Sequence, residues 1–284
     1  MSAGRSRCAA WMLGVAAVIA AGCAAVAGEV TEPEVAATAI SCCAVLELRQ
    51  YTLEPGKREV LIELFEREFV DSQEALGMRL AGQFRDAANP DRFVWLRGFR
   101  DMPSRGVALA AFYGGPVWQA HRVAANPTIA DAANVLLLRP VSATSGFPAP
   151  AKARAPAGVN ENDNATAAII TATIYALKAP VNDDFMRLFE RKISPLMIAT
   201  GAVPLAVFQT ETAENNFPRL PIRTGEHVLV WFSRFPDAAS HAMHMKRLAD
   251  STQWRDEVVP ALDEYLVSPP LQLTLRPTAR SLLR

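Results

Sequence analysis

Three polar side chains alternate along the stretch VLELRQYTL: Glu47, Arg49 and Tyr51, with Leu46 and Leu48 between them. Successive strand residues point to opposite faces, so an acid, a guanidinium and a phenol share one side. Such a set can orient a ligand by ionic and hydrogen bonds, with Arg49 and Tyr51 as candidates for catalysis. If the leucine face meets covering helices, Glu47, Arg49 and Tyr51 turn inward as the polar floor of a pocket. An ion pair that only closes the structure is the plainer reading of Glu47 and Arg49. His121 is the third catalytic candidate. It follows Trp118 by three residues in VWQAHR, one helical turn away on the same face. There it could accept a proton or ligate haem, although a lone helix histidine beside tryptophan is more often packed or capping. His241 and His244 are spaced i, i+3 with no third ligand evident, so no metal is expected.

The elements that must position these residues repeat. The tetrapeptide LFER occurs at 64–67 and again at 188–191, and a tyrosine precedes each by 13 residues, Tyr51 and Tyr175. WLRGFRD (95–101) aligns with WFSRFPD (231–237), and Trp118 with Trp254. NVLLLRP and LQLTLRP end the two halves. The offset grows from 124 to 136, a 12-residue insertion that falls where TETAENNFPRLPIRTGE (210–226) replaces the shorter RDAANPDR (85–92). Length changes of this kind sit in surface loops. Each half reads as strand, helix, two strands, helix region, strand. The first helix is expected near 56–75 and the second region near 103–126. The fold class expected is α+β, with two tandem ferredoxin-like βαββαβ domains, 44–141 and 167–284, packed as a pseudo-dimeric α/β barrel. A Pro/Ala-rich linker, 142–166, joins them.

Lys plus Arg and Asp plus Glu both number 29, and no basic stripe appears, so nucleic acid is not an expected partner. Arg5 and Arg7 precede an uncharged apolar run that lasts to Glu29 and reads as an export signal over 1–27. Cleavage at 22/23 would leave Cys23 lipidated and tied to a membrane; cleavage at 27/28 would release a soluble protein. Either reading places the chain outside the cytoplasm, in a bacterial periplasm or envelope, after a spacer over 28–43. Of the remaining cysteines, the adjacent pair Cys42 and Cys43 reads as small apolar residues at a strand entrance rather than as a disulfide, redox or metal site.

The blocks ELRQYTLEPGK (47–57), FVWLRGFRDMPSR (93–105) and GGPVWQAHRVAANPTIADAANVLLLRP (114–140) resemble the NIPSNAP family, with MHMKRLADSTQWRDEV (243–258) a looser echo. The resemblance implies tandem ferredoxin-like domains of the dimeric α/β-barrel superfamily. Relatives there include monooxygenases without metals, haem-binding and haem-degrading enzymes, and proteins without catalysis. The reading preferred from the sequence is a small apolar or aromatic ligand held without catalysis by Glu47, Arg49, Tyr51, Tyr175, Trp95, Trp118 and His121. A cofactorless or haem-dependent enzyme and a protein-interaction scaffold, with homo-oligomerisation allowed, are the alternatives. No cofactor is required by the preferred reading.

Overall fold

A computed structural model describes residues 43–150, 153–159 and 166–284. The expected signal segment, Cys23 and Cys42 lie outside the described residues. Among those described, no helix is long and apolar enough to cross a membrane.

Strand β1 (Val45–Leu53) leads into α1 (Arg58–Leu64), a π-helical turn (Phe65–Phe69) and α2 (Val70–Glu74). Strands β2 (Arg79–Asp86) and β3 (Arg92–Phe99) follow, then α3 (Met102–Gly114), α4 (Pro116–Ala125), a short β4 (Ile129–Asp131) and β5 (Val135–Pro140). The second half begins with β6 (Ile169–Leu177), α5 (Asp183–Leu188), a π turn (Phe189–Ile193) and α6 (Ser194–Thr200). It ends with β7 (Pro204–Thr210), β8 (His227–Phe235), α7 (Ala238–Asp250), α8 (Val259–Asp263) and β9 (Leu271–Pro277). The expected second helix region of the first half is two helices broken at Gly115, where Pro116 opens α4. Both LFER segments enter a π turn at their phenylalanine. The turn directs Phe65 and Phe69 together onto the sheet, and Phe189 and Ile193 likewise.

All strand pairings are antiparallel, in the order β3-β2-β9-β6-β8-β7-β5-β1, with β1 returning to β3, so eight strands close into a barrel. The closing seams cross between halves: Phe84 lies opposite Pro277 in β2–β9, and Leu138 opposite Thr210 in β5–β7. Among the described residues, closure pairs each of the eight barrel strands on both sides, and β4 adds to the end of β1.

The barrel interior is filled. Leu46, Leu48, Val94, Leu96, Leu136, Leu138, Ile170, Ala172, Phe208, Val230, Phe232, Leu273 and Leu275 form one buried cluster drawn from both halves. Two separate cores lie outside the barrel, each beneath the helices of one half. The outward-facing side of β1 carries Val45, Tyr51 and Leu53, and with them Glu47 and Arg49. The inward pocket floor expected for Glu47, Arg49 and Tyr51 is therefore on the opposite side. The interior of an eight-stranded barrel is just wide enough for side chains to fill, and the leucine face suits that dry space. The covering helices bring long aromatic side chains that roof the polar face instead.

A second correction concerns Cys43. It is buried and disulfide-bonded rather than a small apolar filler. Its sulfur lies against the backbone of Gly98, where an added Cβ would stand only 2.3 Å from it. That close approach is why a glycine interrupts β3 at this point.

Candidate functional site

The β1–β3 register sets Glu47 opposite Arg97 and Arg49 opposite Trp95. Glu47 Oε2 accepts from Arg49 Nη1 at 2.9 Å and from Arg97 Nη2 at 2.7 Å, while Oε1 accepts from Arg105 Nε at 2.8 Å. Arg105 arrives from α3, whose start is held by a capping box between Asp101 and Ser104. Every one of these four side chains is fully buried. Three guanidiniums thus surround one carboxylate, and two positive charges have no carboxylate partner within the cluster. Uncharged groups supply the remaining bonds: Gln73 Oε1 accepts from Arg97 Nη1 at 2.8 Å, and Tyr51 Oη accepts from Arg49 Nε at 3.2 Å. Aromatic faces add to this. The Arg97 guanidinium sits 4.9 Å from the Trp95 ring centre and Arg49 5.3 Å from it. Arg49 Nη2 is buried without a hydrogen-bond partner. Arg105 Nη2 lacks ideal hydrogen-bond geometry too, but at 2.7 Å from Glu47 Oε1 it is ion-paired.

Burial alone would raise the Glu47 carboxyl, but Arg97, Arg49 and Arg105 outweigh it and hold the group at about 2. Burial also works against the charge on Arg49, yet Tyr51 and Glu47 keep it above its ordinary value. For Arg105 burial dominates and lowers it.

The roof over the cluster comes from the inserted segment of the second half. Asn215 Oδ1 and Asn216 Oδ1 both accept from Arg105 Nη1, at 3.0 and 2.8 Å. Phe217 stacks on Tyr113 at 5.8 Å, and Leu220 and Ile222 pack into the same outer core. Asn216 Nδ2 also donates to the Met102 carbonyl, at the lip of a cleft of about 510 Å³. Cys43, Ala44, Val45, Met102, Pro140 and Ala143 form most of its walls, with Asp101, Arg139 and Glu211 at the rim.

Of the residues singled out from the sequence, Glu47, Arg49, Tyr51 and Trp95 meet here. Trp118 lies one layer out, 4.9 Å from Tyr113 and 5.6 Å from Phe69. His121 is farther out still: its Nε2 is 3.3 Å from Glu68 Oε2 on a partly exposed helix surface. Tyr175 belongs to the other core, near Phe185, where burial raises its phenol. Arg97, Arg105, Gln73 and Asn215–Asn216 were not anticipated. Arg97 alternates with Trp95 and Phe99 on one strand face, and Arg105 falls on the helical stripe of Ala108, Leu109 and Phe112, so both carried a readable signal.

The corresponding face of the second half is uncharged at the same positions: Thr171, Thr173 and Ser233 are buried on β6 and β8, and His241 lies beside Phe235 on α7. His244, also buried, stands 5.3 Å from that ring. Burial lowers both imidazoles from their ordinary 6.5. A histidine lowered in the folded state leaves the unfolded chain with more bound protons below 6.5, so stability falls as pH drops through that value. Urea unfolding of the wild type is expected to show this loss between about pH 7.5 and 5.5 and His244→Gln to flatten it; an unchanged slope would show that His244 does not carry it.

Residues 46–144 match the NIPSNAP family model. No curated protein matches the sequence. Among solved structures, a proposed monooxygenase from Lactobacillus acidophilus is 14% identical with a TM-score of 0.50, over 84% of this chain and 96% of that one, a likeness of fold. A proposed monooxygenase from Fusobacterium nucleatum gives 12% and 0.46, over 82% and 91%. A NIPSNAP domain protein from Burkholderia xenovorans is 20% identical with a TM-score of 0.32, covering 34% of this chain and 95% of its own. The segment matched by the NIPSNAP family model, residues 46 to 144, is the one that holds Glu47, Arg49, Arg97 and Arg105.

Proposed function

We propose that the protein binds a small apolar or aromatic ligand without turning it over, in the cleft beside the helix-covered face of β1. The observation that carries this reading is the 510 Å³ cleft, of ligand size and chiefly apolar in its walls, bordering the cationic cluster. The barrel, proposed here as two packed ferredoxin-like copies, serves as the rigid support. Its central side chains, Leu48, Val94, Ala172 and Val230, line neither this cleft nor the second one near Leu283. Binding is favoured over catalysis by the state of Glu47. A carboxylate held at about 2 by three guanidiniums is a poor proton acceptor at neutral pH. The apolar run ahead of Glu29, with the Ala20-Ala21-Gly22-Cys23 lipobox, supports an exported binder, free or anchored through Cys23.

The test is native mass spectrometry of the full-length protein purified from its exporting host, beside Ala143→Trp. Ala143 is an exposed wall residue, so the indole fills the cleft without disturbing a core. Wild-type protein is expected to carry a retained small molecule that Ala143→Trp lacks. Equal retention by both, or no retained mass in either, overturns the reading.

A further inference from the structure

We infer that the ligand of this cleft carries an anionic group, an aromatic or aliphatic carboxylate, and that Asn215 and Asn216 hold the place of its oxygens on Arg105. The inference deepens the binding reading above and rests on it.

Buried charges are normally neutralised by partners, because leaving one unpaired costs far more than a hydrogen bond returns. Here one carboxylate serves three guanidiniums, and every other acceptor is neutral: Gln73, Tyr51, Asn215 and Asn216. Arg49 Nη2 has no acceptor at all, although it is buried. The site is therefore short of negative charge and of one acceptor. A bound anion beside Arg105 supplies the missing negative charge.

Access is provided where the neutral acceptors stand. The two asparagine oxygens converge on Arg105 Nη1 at 3.0 and 2.8 Å, a pairing that the two oxygens of a carboxylate can replace. A carboxylate oxygen brings a negative charge as well as an acceptor, so the exchange offsets part of the excess positive charge that the amide oxygens leave in place. Asn216 is bonded to Met102, a wall residue of the cleft, and Arg105 follows Met102 by three residues on α3. Asn216 and Arg105 thus both stand next to the Met102 wall of the cleft. The two carboxylates at the rim are already engaged. Asp101 caps α3 through Ser104, and Glu211 Oε1 accepts from the Ala213 amide at 2.8 Å. Arg139 stands on the same rim. A ligand with an apolar body and an anionic end fits with its body on Val45, Met102 and Pro140 and its charge toward Arg105.

The probes are benzoate and benzamide, which share size and shape and differ in charge. Calorimetric titration of full-length protein is expected to show benzoate binding at least about tenfold more tightly than benzamide, an advantage that shrinks as salt rises. Removing the competing oxygens in Asn215→Ala/Asn216→Ala is expected to raise benzoate affinity several-fold and leave benzamide where it was, with urea unfolding of the variant as the check that the fold is kept. Arg105→Met is expected to abolish the preference. Equal affinities for the two probes overturn the anionic class while leaving the binding reading in place. Benzoate preference unaffected by the asparagine variant overturns the placement on Arg105. Binding of neither probe, with a retained ligand still seen by mass spectrometry, overturns the inference alone.

Discussion

Glu47→Gln is expected to destabilise the protein by about 3–5 kcal/mol, read as a fall in the urea midpoint. The change is nearly isosteric, so packing is not what it removes. It takes away the one anion shared by Arg49, Arg97 and Arg105, all fully buried. Three guanidiniums then repel one another in a space that offers them only Tyr51, Gln73 and the two asparagines. The pH profile gives an independent check. The carboxyl lies near 2 in the folded state and at an ordinary 4.5 when unfolded, so its contribution is present above 4.5 and lost as pH falls from 4.5 toward 2. Glu47→Gln should slope less steeply over that window than the wild type, the remainder coming from Glu59, Asp101 and Asp237, which are also lowered in the folded state. A companion variant shows whether the cluster serves the fold. Glu47→Leu, Arg49→Met, Arg97→Met and Arg105→Met together replace the cluster by apolar side chains of similar volume. That variant removes anion and cations alike, and is expected to cost less than Glu47→Gln alone. If the four-fold variant is instead the less stable, the cluster is a structural requirement and its excess charge needs no ligand.

The sharing of one face by Glu47, Arg49 and Tyr51 could be read directly from alternation, because strand geometry fixes it. Which face turns into the barrel could not. Period-two patterning separates two sides of β1 without saying which one the helices cover, and both sides proved to be buried. The deciding fact is tertiary: Phe65 and Phe69, brought onto the sheet by the π turn, meet Trp95 at 4.8 Å and Phe112 at 5.8 Å and roof a polar surface with aromatic carbon. The 12-residue insertion was visible as a mismatch of offsets, but not its destination. Asn215 and Asn216 lie more than a hundred residues from Arg105 in sequence, and only closure of β5 on β7 swings their loop across to the other half. His121 shows the reverse, a local pattern that does not fix the surroundings. Its helical spacing from Trp118 is kept, but Trp118 packs on Phe69 and Tyr113 while the imidazole reaches Glu68 on a partly exposed surface.

Phe232→Ala is expected to cost about 3–5 kcal/mol while changing benzoate affinity by less than about twofold. The ring lies in the barrel centre, 5.0 Å from Phe147 and 5.9 Å from Phe208. On β8 its neighbours across both ladders are alanines, Ala172 on β6 and Ala206 on β7. Small residues on either side are what make room for one large ring, so its loss leaves a void that neither cross-strand neighbour can reach into. Closed hydrogen bonding around the barrel further limits collapse, which places the cost toward the upper end of the range. The paired measurement separates the two places where a ligand could sit. A ligand held among Leu48, Val94 and Phe232 would lose affinity, or exchange it for the new void, when the ring is removed. A ligand held outside, on Val45 and Met102 with its charge toward Arg105, is shielded from that change by the whole thickness of the sheet. Urea unfolding with a lowered midpoint and an unaltered benzoate isotherm is the expected pair of results; a benzoate affinity that falls with the ring would return the binding site to the barrel interior.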